Sequence, residues 1–185
     1  FSYEFMRNAL IASFWISLAT GIIGTLVVLN RIVSLSGGIA HAAYGGVGIS
    51  YFLGQDPMIG ALLFSTVAAL IMGMAKRRSR SGADTLIGVM WSVGMAVGII
   101  FISLTPGYKA NLMSYLFGSI LAVSGTDLQL MELIGFLVVG FVVFTYRSLL
   151  AISYDEIFSS VRNVPVNLVF LTLLVLIGLT VVVAM

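Results

Sequence analysis

The sequence predicts an all-α polytopic membrane protein with about six transmembrane helices, and three observations carry that prediction. Hydrophobic residues make up 60% of the 185 residues and charged residues only 9%. Ordinary soluble domains carry about 25% charged residues, so this chain has too few charges to cover a water-facing surface. The charges are also unevenly placed: the runs Asn8 to Asn30 and Ile32 to Gln55 contain no Asp, Glu, Lys or Arg. Such runs reach the roughly 20 residues that a helix needs to cross a hydrocarbon core of about 30 Å.

The elements follow in order. Phe1 to Arg7 is a short mixed lead-in at the membrane interface, without the pattern of a signal peptide. Asn8 to Asn30 is the first span. Along it Ser13, Ser17, Thr20 and Gly24 recur at helical spacing, a stripe of small and hydroxylated residues that predicts helix packing in lipid. The second span ends near Gly54, where Gln55, Asp56 and Pro57 make a turn. Met58 to Ala75 is the third. Lys76, Arg77, Arg78 and Arg80 then form the densest charge run, expected as a loop over 76–80. Thr85 to about Leu104 is the fourth span, with Gly88, Ser92, Gly94 and Gly98 as further small-residue contacts.

Residues 112–123 are apolar but too short to cross, and suit a re-entrant or interfacial helix. The fifth span is roughly Leu128 to Tyr146, and Val164 to Met185 is the sixth. Between them the chain is polar and amphipathic, and a short cytoplasmic helix is expected over 153–163. Ser153 and Glu156 have the S-x-x-E spacing of a capping box, Asn163 can end the helix in the left-handed conformation, and Pro165 starts the next element. Ile157, Phe158 and Val161 would form an apolar stripe, either lying on the protein itself or serving as a docking knob for a soluble partner. The whole chain, 1–185, reads as one transmembrane domain. It opens on Phe1 and stops inside an apolar run at Met185, so trimming at one or both ends is expected.

Basic residues set the orientation, because they accumulate on the cytoplasmic side. With the 76–80 run inside, Arg31, Arg147 and Arg162 also fall inside, and only Arg7 and Lys109 fall outside. The run itself reads as a topology signal contacting anionic headgroups, not as a nucleic-acid site.

His41 is the only histidine and lies about 10 residues into the second span, or about 15 Å deep at ~1.5 Å per residue. Neutral imidazole is a good ligand for divalent first-row metals, and ionisable groups at that depth mark transport pathways by default. The competing reading is a buried histidine bonded to a carbonyl or a serine of a facing helix. On a helix Gly37, His41, Gly45 and Gly48 share one face. Those glycines line a path or simply admit a neighbouring helix. Glu132 either snorkels to water or serves as a ligand where an ion enters. The nine methionines are scattered and read as gap-fillers. No cysteine is present, which excludes disulfides and thiolate metal sites. Both lysines follow non-glycine residues, so there is no P-loop and no ATPase site in the chain. No Ser/His/Asp or Cys/His constellation for hydrolysis is available.

Ser36-Gly-Gly-Ile-Ala-His-Ala-Ala-Tyr-Gly-Gly46 and Asn111 to Leu121 are two of four blocks that together resemble the ABC transporter permeases for zinc, manganese and iron: the first is similar to that family's G-D-A-L-A-H-A-x-x-P-G block and the second to its N-x-Y-L-F-G-S-I-L block. Asp84-Thr-Leu-Ile-Gly88 is similar to its D-x-x-I-G helix start, and Ser153 to Pro165 to its D-P-E-x-A-x-x-x-G-x-P segment. The resemblance implies a multi-pass subunit of the cell membrane that moves divalent metal ions and holds no permanent cofactor. It implies a second permease copy, two cytoplasmic ATP-binding subunits and an external metal-binding protein as partners. The family's histidine carries over to His41, its aspartate falls at Gly37 and its proline at Gly45. Asp155, Glu156, Phe158 and Arg162 carry over as the region that couples to the ATPase. The missing carboxylate at Gly37 keeps a second substrate class open, a metal chelate or organic cofactor. A membrane scaffold without transport is the third reading.

Overall fold

The computed structural model describes residues 4–78, 80–106 and 123–185, with the backbone alone at 80–83. The described residues form seven helices: α1 (Glu4–Leu29), α2 (Val33–Phe52), α3 (Pro57–Arg78), α4 (Arg80–Leu104), α5 (Gly125–Tyr154), α6 (Glu156–Val161) and α7 (Val166–Ala184). There is no strand among them. Five helices, α1, α3, α4, α5 and α7, are long and apolar enough to cross a membrane. The 20-residue α2 has the length for a sixth, but its glycines, serines and histidine dilute its hydropathy. The expected short helix at 112–123 lies outside the described residues except for Val123.

The helices end where local chemistry stops them. Asp56 precedes Pro57 and accepts the Met58 N–H at 2.8 Å. Proline at the first helical position lacks only a donor that would have been orphaned anyway. Ser124 and Asp127 cap α5 reciprocally: the Asp127 N–H donates to Ser124 Oγ, and the Ser124 N–H donates to the Asp127 carboxylate, each at 3.2 Å.

Packing centres on α2, which lies between α3 and α4; α3 packs in turn on α7, and α1 and α5 pack on each other and on α7. Leu35, Ile39, Met72, Leu173, Leu174 and Ile177 are fully enclosed at this junction. The outer faces of the bundle carry large apolar side chains such as Phe14, Phe136 and Phe144. That inside-out pattern suits lipid and not water.

Four expectations are corrected. The fifth helix does not stop near Tyr146 but runs to Tyr154, because Arg147 is exposed at the helix surface and its long stem needs no break in the helix. The basic run is not a loop: Lys76, Arg77 and Arg78 form the last turn of α3, and Arg80 opens α4. The stripe on α1 is not the packed face of that helix among the described residues. Ser17 and Gly24 are exposed, while Ala12, Ala19, Ile23 and Val27 make the buried face. The Ser13 and Thr20 hydroxyls donate to carbonyls four residues back, each at 2.6 Å, so their polarity is satisfied within the helix. Finally, Ser153 caps nothing, for the reason given below.

Candidate functional site

The α2–α4 seam is built by the absence of side chains. A Cβ placed on Gly94 would stand 2.6 Å from Ala42 Cα, and one on Gly98 would stand 2.5 Å from the Tyr44 carbonyl oxygen. Gly48 meets the Gly98 backbone, and Gly45 approaches the Gly94 carbonyl, with a would-be Cβ at 3.0 Å. On the opposite side Gly46 and Gly60 let the α2 and α3 backbones touch. Gly88 and Ser92, expected as contacts, do not take part. Nothing lies within reach of a Cβ at Gly88, and the exposed Ser92 donates to the Gly88 carbonyl.

Ser34 Oγ reaches Asp84 at 3.5 Å, His41 lies on Trp91, and Gly48 meets Gly98. Each step advances both helices by the same seven residues, about two turns, so α2 and α4 run parallel and in step. The predicted face is therefore real for three of its four members, with His41, Gly45 and Gly48 all turned to α4. Gly37 differs: among the described residues a Cβ there would meet nothing within 4 Å, which leaves space one turn before the histidine.

His41 is half-buried. Its ring stacks on the Trp91 indole with centroids 4.0 Å apart and planes 8° from parallel. Among the described residues its Nδ1 is buried without a hydrogen-bond partner, as is the Tyr44 hydroxyl one turn further on. A buried imidazole nitrogen without a partner costs free energy, on the order of 1–3 kcal/mol. Among the described residues no three His, Cys, Asp or Glu side chains gather as a metal-holding group. Glu132 is half-buried on α5, which packs on α1, α6 and α7.

A second cluster occupies the end of the bundle where α3 and α5 finish. Asp155 is extended, with φ −150° and ψ 104°, and it both ends α5 and caps α6; its carboxylate accepts the Phe158 N–H at 2.9 Å. This displaces the expected Ser153–Glu156 capping box. Ser153 is still inside α5, where its hydroxyl donates to the Leu149 carbonyl at 2.8 Å and accepts from Asn30 Nδ2 at 3.1 Å. At the far end Asn163 does adopt the left-handed conformation, with φ 59°. The Asn163 N–H donates to the Ser160 carbonyl and the Val164 N–H to the Ser159 carbonyl, which closes the helix as a Schellman turn.

Glu156, freed from capping, forms an ion pair with Arg77. The Arg77 guanidinium also lies 5.0 Å from the centre of the Phe170 ring on α7. Lys76 Nζ donates to the Arg31 carbonyl at 2.8 Å. Arg162 lies over the Phe158 ring at 5.6 Å. Ile157 and Val161 are 79% and 77% exposed, and Phe158 is exposed beside them, so the predicted apolar stripe of α6 faces outward. A cleft of about 500 Å³ opens beside it, lined by Arg77, Tyr154, Glu156, Ile157, Val166 and Asn167.

Sequence reasoning missed Trp91 and the Arg77–Glu156 pair. Trp91 had a usable signal, since it stands three residues before Gly94 and seven before Gly98, on the glycine face of α4. The ion pair joins residues 79 apart and left no mark in local spacing.

The model of the ABC 3 transport family matches residues 2–185. An uncharacterized membrane protein of Synechocystis is 51% identical over 183 residues, which covers 99% of this chain and 65% of that protein. The manganese transport system membrane protein MntC of Halalkalibacterium halodurans is 32% identical over 184 residues, covering 100% of this chain and 63% of that one. Among solved structures, PsaBC from Streptococcus pneumoniae in complex with Fab superposes with a TM-score of 0.84 at 33% identity, over 99% of this chain and 66% of the matched chain. The chain thus spans just under two thirds of the length of these relatives.

Proposed function

This chain belongs to the ABC 3 transport family, and from that premise we propose that it forms the membrane-spanning part of an ATP-driven importer of divalent transition-metal ions. The observation that carries the reading is the placement of His41. A buried Nδ1 without a partner among the described residues lies on a seam whose other members, Gly45 and Gly48, are bare backbone. A passing ion can exchange one water for an imidazole there and give it back. The site holds no cluster of ligands within the described residues, which suits brief coordination better than storage. In this reading α2 is the sixth membrane span and His41 stands near the midplane. A second copy of the permease and an external metal-binding protein complete the pathway.

The sequence has no P-loop, and in this reading the work comes from partner ATPase subunits. The exposed stripe Ile157, Phe158 and Val161 on α6 is the surface on which such a subunit docks, with Asp155, Glu156 and Arg162 framing it. The Arg77–Glu156 pair keeps the basic end of α3 at the same end of the bundle as α6, which supports a cytoplasmic placement for both. Motion of α6 reaches α3 through Arg77, and α3 reaches α2 through the Gly46–Gly60 contact. Glu132 has no described route to His41 and is assigned at most to the mouth of the path.

A second reading draws on the open space at Gly37. That space would admit a metal still carrying its own ligands, as a chelate does. The discriminating experiment reconstitutes the full transporter in vesicles and measures uptake of Zn²⁺ and Mn²⁺ alone and as chelates. His41→Ala is expected to reduce free-ion uptake at least tenfold with the assembled complex intact, the loss expected for a transition-state contact of about 1.4 kcal/mol or more. Undiminished uptake removes His41 from the mechanism, and uptake of the chelate alone selects the second reading.

A further inference from the structure

The His41 imidazole is paired with an aromatic surface that no sequence motif announced. Trp91 lies flat on it at 4.0 Å between centroids and 8° between planes, and the indole is itself 40% exposed. Parallel stacking fixes the rotation of the imidazole about its Cβ–Cγ bond, an angle that otherwise has a broad range. Both ring nitrogens then lie in a plane parallel to the indole, so an ion bound through either is held in that plane. An imidazole that donates its lone pair to a cation becomes electron-poor, and the electron-rich indole face favours it in that state. The indole N–H only donates hydrogen bonds, so Trp91 is no ligand. Packing alone does not require this residue type. The next contact along the same seam, at Gly94, is made against Ala42 backbone without any side chain.

We propose that Trp91 is a positioning residue for cation capture: it fixes the plane of the His41 ring and favours the cation-loaded imidazole over the empty one. This inference rests on the reading that the transported ion meets His41. The test uses the full transporter, assembled with its ATPase subunits and labelled with 5-fluorotryptophan. The ¹⁹F resonance that disappears in Trp91→Phe belongs to Trp91. Adding Zn²⁺ is expected to shift that resonance in the parent protein and to leave it unmoved in His41→Ala. In uptake assays with Zn²⁺ and Mn²⁺, Trp91→Phe is expected to stay near the parent KM. Trp91→Leu, which keeps bulk but loses the aromatic face, is expected to raise KM about fivefold at equal complex yield.

A Trp91 resonance blind to Zn²⁺, or Phe and Leu variants with the same KM, overturns the positioning role. The ¹⁹F readout requires no Trp91 variant to be active. If His41→Ala abolishes uptake while Trp91→Leu matches the parent protein, only the stacking role falls. If His41→Ala transports normally, the metal reading and the role of Trp91 fall together.

Discussion

Asp155 shows how one residue decides a local structure that two others were expected to decide. Ser153 and Glu156 have the right spacing for a capping box, but α5 continues through Ser153, whose hydroxyl is already committed to the Leu149 carbonyl. The first extended residue is Asp155, and its carboxylate takes the Phe158 N–H instead. A six-residue helix cannot hold itself together, so its caps and its packing define it. Asp155→Ala is expected to cost about 1 kcal/mol of local stability, seen as roughly fivefold faster hydrogen exchange at the Phe158 amide. Ser153→Ala is expected to leave that amide unchanged. The opposite pattern would return the cap to Ser153.

At the scale of elements, the glycines of the seam are not equivalent to the other glycines of the chain. A methyl group on Gly98 would meet the Tyr44 carbonyl and ring at 2.5 Å, and backbone on the facing helix can yield only if α2 and α4 separate. Gly98→Ala is therefore expected to destabilise the purified transporter by about 1–3 kcal/mol, read as a lower melting temperature, and to reduce uptake. Gly24 sits in α1 with nothing within 4 Å, so Gly24→Ala is expected to be neutral or to stabilise by up to about 1 kcal/mol. A Gly98→Ala protein that melts and transports like its parent would contradict the close approach of the helices. Much of this level was legible in the sequence. Charge-free runs located the spans, Pro57 located a turn, and the helical spacing of Gly37, His41, Gly45 and Gly48 placed three of the four on one working face. Spacing on a single helix cannot say which face meets a neighbour, so the Ser13–Gly24 stripe predicts helix packing, yet Ser17 and Gly24 are exposed and Ser13 and Thr20 only half-buried among the described residues. Nor can it say which side chain comes from across the seam, so Trp91 stayed hidden. Arg147 was read as a boundary because charge usually ends a span, yet a long stem lets α5 pass it.

Across the whole molecule, one contact ties the end that would receive a partner subunit to the helices around His41. Arg77 at the end of α3 holds Glu156 of α6 and lies over Phe170 of α7, while α3 touches α2 through Gly60 and Gly46. The side chains of the pair are 29% and 54% exposed, so its net contribution to stability is small, about 0–1 kcal/mol. In the proposed transport reading its consequence is mechanical: it couples movement of α6 to α3. Arg77→Glu places two carboxylates where a pair stood, and Glu156→Arg places two cations there. Each single variant is expected to fold with a melting temperature within a few degrees of the parent, since the pair itself holds so little of the stability. Each is expected to keep most of the ATPase activity of the assembled transporter but to move fewer ions per ATP hydrolysed. The double variant, Arg77→Glu with Glu156→Arg, restores opposite charges in exchanged positions and is expected to recover the ratio of ions to ATP, which loss of either side chain for unrelated reasons would not do. If the single variants transport at the parental ratio, α6 drives the membrane helices by another route. The chain connections through Asp155 into α5 and through Asn163, Val164 and Pro165 into α7 are the ones that the fold leaves available.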